Sequence, residues 1–177
     1  MSNTPQIQGL TDLLARLQAA PQNITSAVSA ELADGAKSIA GEAKQRAPAD
    51  QGILRNLISV NKVDVLNFEV VSGASYSAYI EFGTGEHVDI PAGLEEYAAQ
   101  FQGNFTAGAY SEGGELTFKE AIFAWCKRKG IDKGRWYAIY VSIGLHGSPA
   151  HPFFFPAAQR QTPIIVSQVE KAVGGAI

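Results

Sequence analysis

Cysteine is almost absent from this chain: Cys126 is the single one among 177 residues. No intrachain disulfide can form, and no cysteine-rich metal site can be built. Charge is also scarce. Asp, Glu, Lys and Arg make up 18 % of the residues, below the roughly one quarter of an average globular chain. Fourteen Lys and Arg face seventeen Asp and Glu, a formal net charge of −3. The basic excess of a freestanding DNA or RNA binder is therefore missing. No run of eighteen apolar residues occurs, so no membrane-spanning helix is expected. Met1 to Leu10 has neither a basic n-region nor an apolar h-region, so no secretory leader is expected. The sequons at Asn23 and Asn104 carry no weight in that context. These absences are those of a soluble protein made in a reducing compartment.

What the chain has in plenty is small and apolar residues. The apolar class reaches 46 %, with 26 Ala and 18 Gly. Disorder throughout is excluded, and a chain of this length can bury a sizeable core as one domain.

Leu10, Leu13, Leu14 and Leu17 recur at helical spacing. After Pro21 a longer stripe runs through Ile24, Val28, Leu32, Ala36, Ile39, Ala43 and Ala47, in steps of three or four. Gly35 and Gly41 weaken that helix by about 1 kcal/mol each relative to Ala, or else permit a close neighbour. Pro48 ends it. Asp50 and Gly52 are turn residues. Residues 57–63 and 68–71 read as two strands joined by a turn, a β-hairpin. Residues 75–82 form an edge element running into Gly83. Residues 86–117 show no clear period and are expected to be an insertion. Helices resume at Phe118, stopping at Gly130, then over 135–145, and finally over 157–173 with Pro163 starting or kinking the last. The order of helices, strands and helices gives an α+β class: a long N-terminal helix packed on a small antiparallel sheet, with further C-terminal helices.

Catalytic patterns are missing. His87, His146 and His151 could join Glu81 and Asp89 on paper, but their spacing matches no zinc signature. No phosphate-binding glycine loop and no Gly-x-Ser-x-Gly elbow occurs. Cys126 stands between Trp125 and Lys127 without an evident histidine. Lys127, Arg128 and Lys129, with Lys133 and Arg135 nearby, read as a solvated helix end, where cations offset the carbonyl dipole. Two competing readings stay open. One is a metal- or thiol-dependent enzyme on these histidines or Cys126; the other is a soluble DNA-binding module on the basic cluster.

Three segments in fixed order are more specific. The first is Ala43-Lys-Gln-Arg-Ala-Pro48-Ala-Asp50-Gln-Gly52-Ile-Leu54-Arg55. The second is Tyr76-Ser-Ala-Tyr79-Ile-Glu81-Phe82-Gly83-Thr84. The third is His151-Pro152-Phe153-Phe154-Phe155-Pro156-Ala157. With these the chain resembles the gene-ten-type tail component of HK-type lambdoid phages, a family of neck or tail-completion proteins. The family pattern is a long helix ending in Ala-Pro-x-Asp-Thr-Gly-x-Leu-Arg, a hairpin, Tyr-Ala-x-Tyr-x-Glu-Phe-Gly-Thr, and Pro-Phe-x-x-Pro-Ala opening a final helix. Gln51 replaces the usual Thr, and 85–117 is longer than in short members.

The residues support such a scaffold. Pro48 stops the helix, Asp50 can accept backbone hydrogen bonds, and Gly52 can supply φ > 0. Leu54 would pin the loop while Arg55 projects, with Glu81 as a candidate partner. Tyr79, Glu81 and Phe82 would anchor the edge element before Gly83 and Thr84. Pro152 and Pro156 stiffen the entry to the last helix. Phe153, Phe154 and Phe155 are too many for one small core, so at least one is expected to face a partner.

The resemblance implies a virion structural protein with no enzymatic activity and no cofactor. It implies a homo-oligomeric ring at the head–tail junction, six-fold favoured over twelve-fold, formed from subunits made in the host cytoplasm. Its neighbours would be the head-closure or connector protein and the tail terminator or tail tube protein. Genomic DNA would pass without sequence-specific contact, and no membrane is involved.

Overall fold

The structure, a computed structural model, describes residues 22–50, 52–74, 76–87, 91–99 and 118–174. The elements in order are α1 (Gln22–Arg46), α2 (Ile53–Asn56), β1 (Ile58–Asp64), β2 (Asn67–Ser72), α3 (Ser77–Phe82), a 3₁₀ turn (Gly85–His87), α4 (Glu95–Ala99), α5 (Phe118–Arg128), α6 (Trp136–His146) and α7 (Phe155–Gly174). The class is α+β, with a long N-terminal helix, a two-stranded antiparallel sheet and further C-terminal helices. The helical spacing at 10–17 lies outside the described residues.

The described residues gather into two compact units. One holds those of Met1–Ala74 and Pro152–Ile177, the other those of Ser75–His151.

In the first unit, every residue of the α1 stripe is buried: Ile24, Val28, Leu32, Ala36, Ile39, Ala43 and Ala47. Ile165 and Val169 of α7 join Ile24, Val28, Leu32 and Ile39 in one apolar cluster, and Leu66, Phe68 and Val70 of the hairpin pack against it. The strand register places Ile58 opposite Ser72, Val60 opposite Val70 and Lys62 opposite Phe68. Because side chains alternate along a strand, these residues share one face of the ribbon. Lys62 belongs to that face at its rim, where its ammonium lies 5.7 Å from the Phe68 ring centroid. Ser59, Asn61, Glu69 and Val71 on the other face are exposed. The register slips between Lys62 and Asp64, and the Ser29 hydroxyl donates to the Val65 carbonyl at 2.6 Å, tying the hairpin tip to α1.

The second unit departs from expectation at its start. Within the expected edge element, Ser77–Phe82 is a helix, α3. Ile80 N–H donates to the Tyr76 carbonyl at 3.2 Å and Gly83 N–H to the Tyr79 carbonyl at 3.0 Å, so these backbone groups are satisfied locally and need no strand partner. Gly83, at φ 76°, ends the helix. Within 86–117, the 3₁₀ turn and α4 are short ordered pieces; residues 100–117 lie outside the described residues. In α5, Cys126 is buried. Gly130 takes φ 69°, and Ile131 N–H returns to the Cys126 carbonyl at 2.9 Å.

Gly35 decides how closely α1 and α7 approach. A Cβ placed on it would lie 2.5 Å from Cγ1 and 2.7 Å from Cδ1 of Ile165. Ile165 is buried and β-branched, so its rotamer cannot swing aside freely. Gly41 has nothing within 4 Å of the same construction. Helix propensity alone predicts a gain of about 1 kcal/mol for Gly→Ala at either site. We expect Gly41→Ala to show that sign. Gly35→Ala should instead lose about 1–3 kcal/mol through overpacking, and its cost should shrink when it is made in an Ile165→Ala background and compared with Ile165→Ala alone. Urea unfolding midpoints of the four variants measure this; equal stabilisation at both glycines would contradict it.

Candidate assembly motifs

The first motif closes α1. Ala47 N–H donates to the Ala43 carbonyl at 2.8 Å, and Pro48 follows the last turn. Gly52 takes φ 77° and opens α2, where Asn56 N–H donates to the Gly52 carbonyl at 3.0 Å. Leu54 is buried, as expected; Asp50 is exposed. Arg55 does not simply project. Its Nε donates to the Ala47 carbonyl at 2.9 Å, so the guanidinium occupies a carbonyl at the end of α1, a favourable place for a cation. The candidate partner Glu81 lies in the other unit.

The second motif ties two distant loops together. Thr84 is buried, with 2 % exposure. Its N–H donates to the Ser148 carbonyl at 2.9 Å, while Ser148 N–H donates to Thr84 Oγ1 at 2.8 Å. The two hydroxyl oxygens are 3.1 Å apart. His151 N–H donates to the Ile80 carbonyl at 2.7 Å, extending the tie. The crossing requires glycine on both sides. Gly147, at φ 85°, has no room for a Cβ against the Thr84 carbonyl. A Cβ on Gly85, at φ 63°, would lie 2.7 Å from the His146 carbonyl oxygen. Next to the crossing, His146 Nδ1 lies 3.2 Å from Glu86 Oε2 at the surface. Glu81 and Phe82 are buried and Tyr79 is half-buried. Burial raises the Tyr76 hydroxyl above its ordinary pKa.

The third motif opens α7. Pro156 sits in the first helical turn, where its missing N–H has no intrahelical bond to lose. Phe153 is a core side chain with 1 % exposure, its ring edge-on to Phe154 at 6.2 Å between centroids. Phe154 and Phe155 are half-buried and Pro152 is exposed. Whatever this aromatic run offers to a neighbour therefore comes from Phe154 and Phe155.

One polar cluster gave no sign in the sequence. Glu42 of α1 accepts from Arg46 Nε at 2.9 Å and from Gln161 Nε2 of α7 at 2.8 Å, with Arg160 Nε at 3.4 Å. The Gln161 hydrogen bond is the main influence holding the Glu42 carboxyl below its ordinary pKa of 4.5. Partial burial works the other way, and Arg46 and Arg160 add to the lowering.

The first motif and the third from Pro152 onward thus serve one unit, and the second motif, with His151, the other. Among the described residues, no group of three or more His, Cys, Asp or Glu could hold a metal ion, and no helix is long and apolar enough to cross a membrane. The His87 side chain lies outside the described residues. The basic cluster at the end of α5 is exposed.

The motif residues thus cap, turn and tie the backbone of a helix-and-hairpin scaffold. Residues 11–83 match the model of a family described as "Bacteriophage HK97-gp10, putative tail-component". The matched stretch holds the first motif, the hairpin and all of the second motif except Thr84, and agrees with the resemblance read from the sequence. No curated protein and no solved structure matched the chain.

Two predictions follow from the ties. Thr84→Val removes the oxygen that accepts from Ser148 N–H and should cost about 1–3 kcal/mol, while Thr84→Ser should cost much less. Thermal unfolding of both variants checks this, and equal losses would contradict the hydrogen-bond role. For Glu42, a folded-state pKa lowered below 4.5 means its stabilisation is complete above that value and is lost as pH falls through the folded one. Denaturant midpoints from about pH 6 to about pH 3 should fall less steeply for Glu42→Gln than for the unaltered protein. Parallel curves would remove Glu42 from the acid response.

Proposed function

We propose that this protein is a structural subunit of a tailed bacteriophage virion that forms a ring at the head–tail junction. The observation that carries the reading is the match of residues 11–83 to a phage tail-component family. It is supported by motif residues that build the scaffold. In this reading the whole chain is one neck module with 86–117 as an insertion, and it has no catalytic task. Ring closure lets many modest interfaces act together, six copies being favoured over twelve. One side meets the head-closure or connector protein and the other the tail terminator or tail tube. The modest negative charge suits a lumen through which DNA slides, since phosphate contacts by Lys and Arg are what make DNA adhere. The enzyme alternative has little to recommend it, because the Cys126 thiol is buried.

The burial pattern reshapes the list of candidate interface residues. Phe82 and Phe153 are core side chains, so they act on assembly through the fold. Tyr79, Phe154 and Phe155 keep partial exposure. Complementation of phage lacking this gene tests the reading. Without the protein, heads and tails should accumulate unjoined; with it, joined particles should return. Phe82→Ala and Phe153→Ala should fail chiefly through loss of soluble protein. Phe154→Ala or Phe155→Ala should remain soluble yet reduce joining, in keeping with aromatic anchors worth about 2 kcal/mol. Normal joining without the protein would overturn the proposed role.

A further inference from the structure

Helix α6 has the wrong surroundings for its sequence. Trp136, Tyr137, Ala138, Ile139, Tyr140, Val141, Ile143 and Leu145 make it apolar on nearly every side, yet none of its residues is buried. A helix apolar all round is normally enclosed. Among the described residues it packs on α5 and on the Gly85–His87 turn. Phe123 of α5 meets Trp136 edge-on at 5.3 Å between centroids, and Lys119 Nζ lies 5.8 Å from the Trp136 ring centroid. Tyr137, Val141 and Leu145, each four residues after the last, form one stripe. Tyr137 is 57 % and Leu145 71 % exposed, and Phe123 is exposed beside the α6 start.

The charges around α6 are sorted by sign. Residues 127–135, which lead into it, hold Lys127, Arg128, Lys129, Lys133 and Arg135 against the single carboxylate of Asp132. Residues 86–99 hold Glu86, Asp89, Glu95 and Glu96 and no Lys or Arg. Glu86 reaches the opposite end of α6, at His146. Lys127, Lys133, Glu86 and Glu96 are all exposed. The apolar stripe thus runs from the basic connector at its start to the Glu86 carboxylate at its finish.

We propose that the α6 stripe is the docking face for a second copy of this chain, with the basic 127–135 connector of one copy set against Glu86 and Glu96 of the next. This rests on the homo-oligomeric reading given above. The occupant follows from charge complementarity: one chain carries both halves of the match, so a neighbouring copy offers the opposite sign to each. Set against the complementary half of successive neighbours, the two halves repeat head to tail, and such a repeat forms a ring where the rotation between copies closes. Tyr137 and Leu145 supply the apolar centre, and the charges set direction and register.

Charge reversal tests it on the full-length protein, with oligomeric state read by sedimentation at low and high salt. Lys127→Glu with Lys133→Glu should weaken self-association at least about tenfold, as should Glu86→Lys with Glu96→Lys. An equimolar mixture of those two proteins should assemble again, because each interface then pairs opposite signs. Leu145→Asp, at the most exposed apolar position, should also abolish association while the circular dichroism spectrum stays unchanged. Variants that assemble like the unaltered protein would overturn this docking face and leave the ring reading standing. If the mixture stays monomeric while all four reversals in one chain restore assembly, the charges pair within one copy and the proposal is wrong. An unaltered protein that remains monomeric at every concentration would overturn the docking face and the self-assembled ring together.

Discussion

A two-stranded ribbon cannot hold its shape in water without something to lie on. The surface beneath this hairpin is α1, which must also meet α7 along the same apolar stripe. One helix therefore serves a sheet and another helix at once. That double demand explains the composition of its inner face, where Ala36, Ala40, Ala43 and Ala47 alternate with larger residues. It also explains a glycine in mid-helix. At Gly35 the branched side chain of Ile165 occupies the space that a Cβ would take. The helix gives up some intrinsic propensity there, and the packing of Ile165 depends on that concession. The Glu42–Gln161 hydrogen bond then fixes α7 lengthwise on α1.

Elements whose signal is local were legible in the sequence. The α1 stripe spans seven residues at helical spacing, and all seven are buried. Pro48, Gly52 and Gly130 act through their own backbone chemistry and mark boundaries where they stand. Six-residue α3 was not legible as a helix, because Tyr, Ile and Phe favour strands and the segment is too short to show a period. The ties were hidden for a different reason. Thr84 meets Ser148 across 64 positions and Glu42 meets Gln161 across 119. Neither pair has a spacing rule. Arg55 shows the same gap at short range: its charge was plain, but its carbonyl partner depends on how α1 ends.

The motif residues look different once placed. Gly83, Thr84, Pro48, Gly52 and Leu54 recur in the family pattern, and here each shapes the backbone or fills the core. A match to such residues reports a scaffold. The parts of the molecule that face outward are others: the half-buried Phe154 and Phe155, the exposed α6 stripe, and the basic cluster between α5 and α6.

The first unit is split in the chain: α1 and the hairpin come early and α7 comes after the whole second unit. On a ribosome, α1 emerges with an apolar stripe that has only the hairpin to cover it. The second unit, 75–151, is made next, and only then does Phe155–Gly174 appear. Closing a loop of that size is entropically unfavourable and slow compared with local folding. Until it closes, the early half of the molecule is a sticky, half-dressed helix of the sort that aggregates. A chain cut short before α7 would never leave that condition. The last helix therefore completes the core of its unit: only with Phe155–Gly174 in place is the α1 stripe covered on both sides.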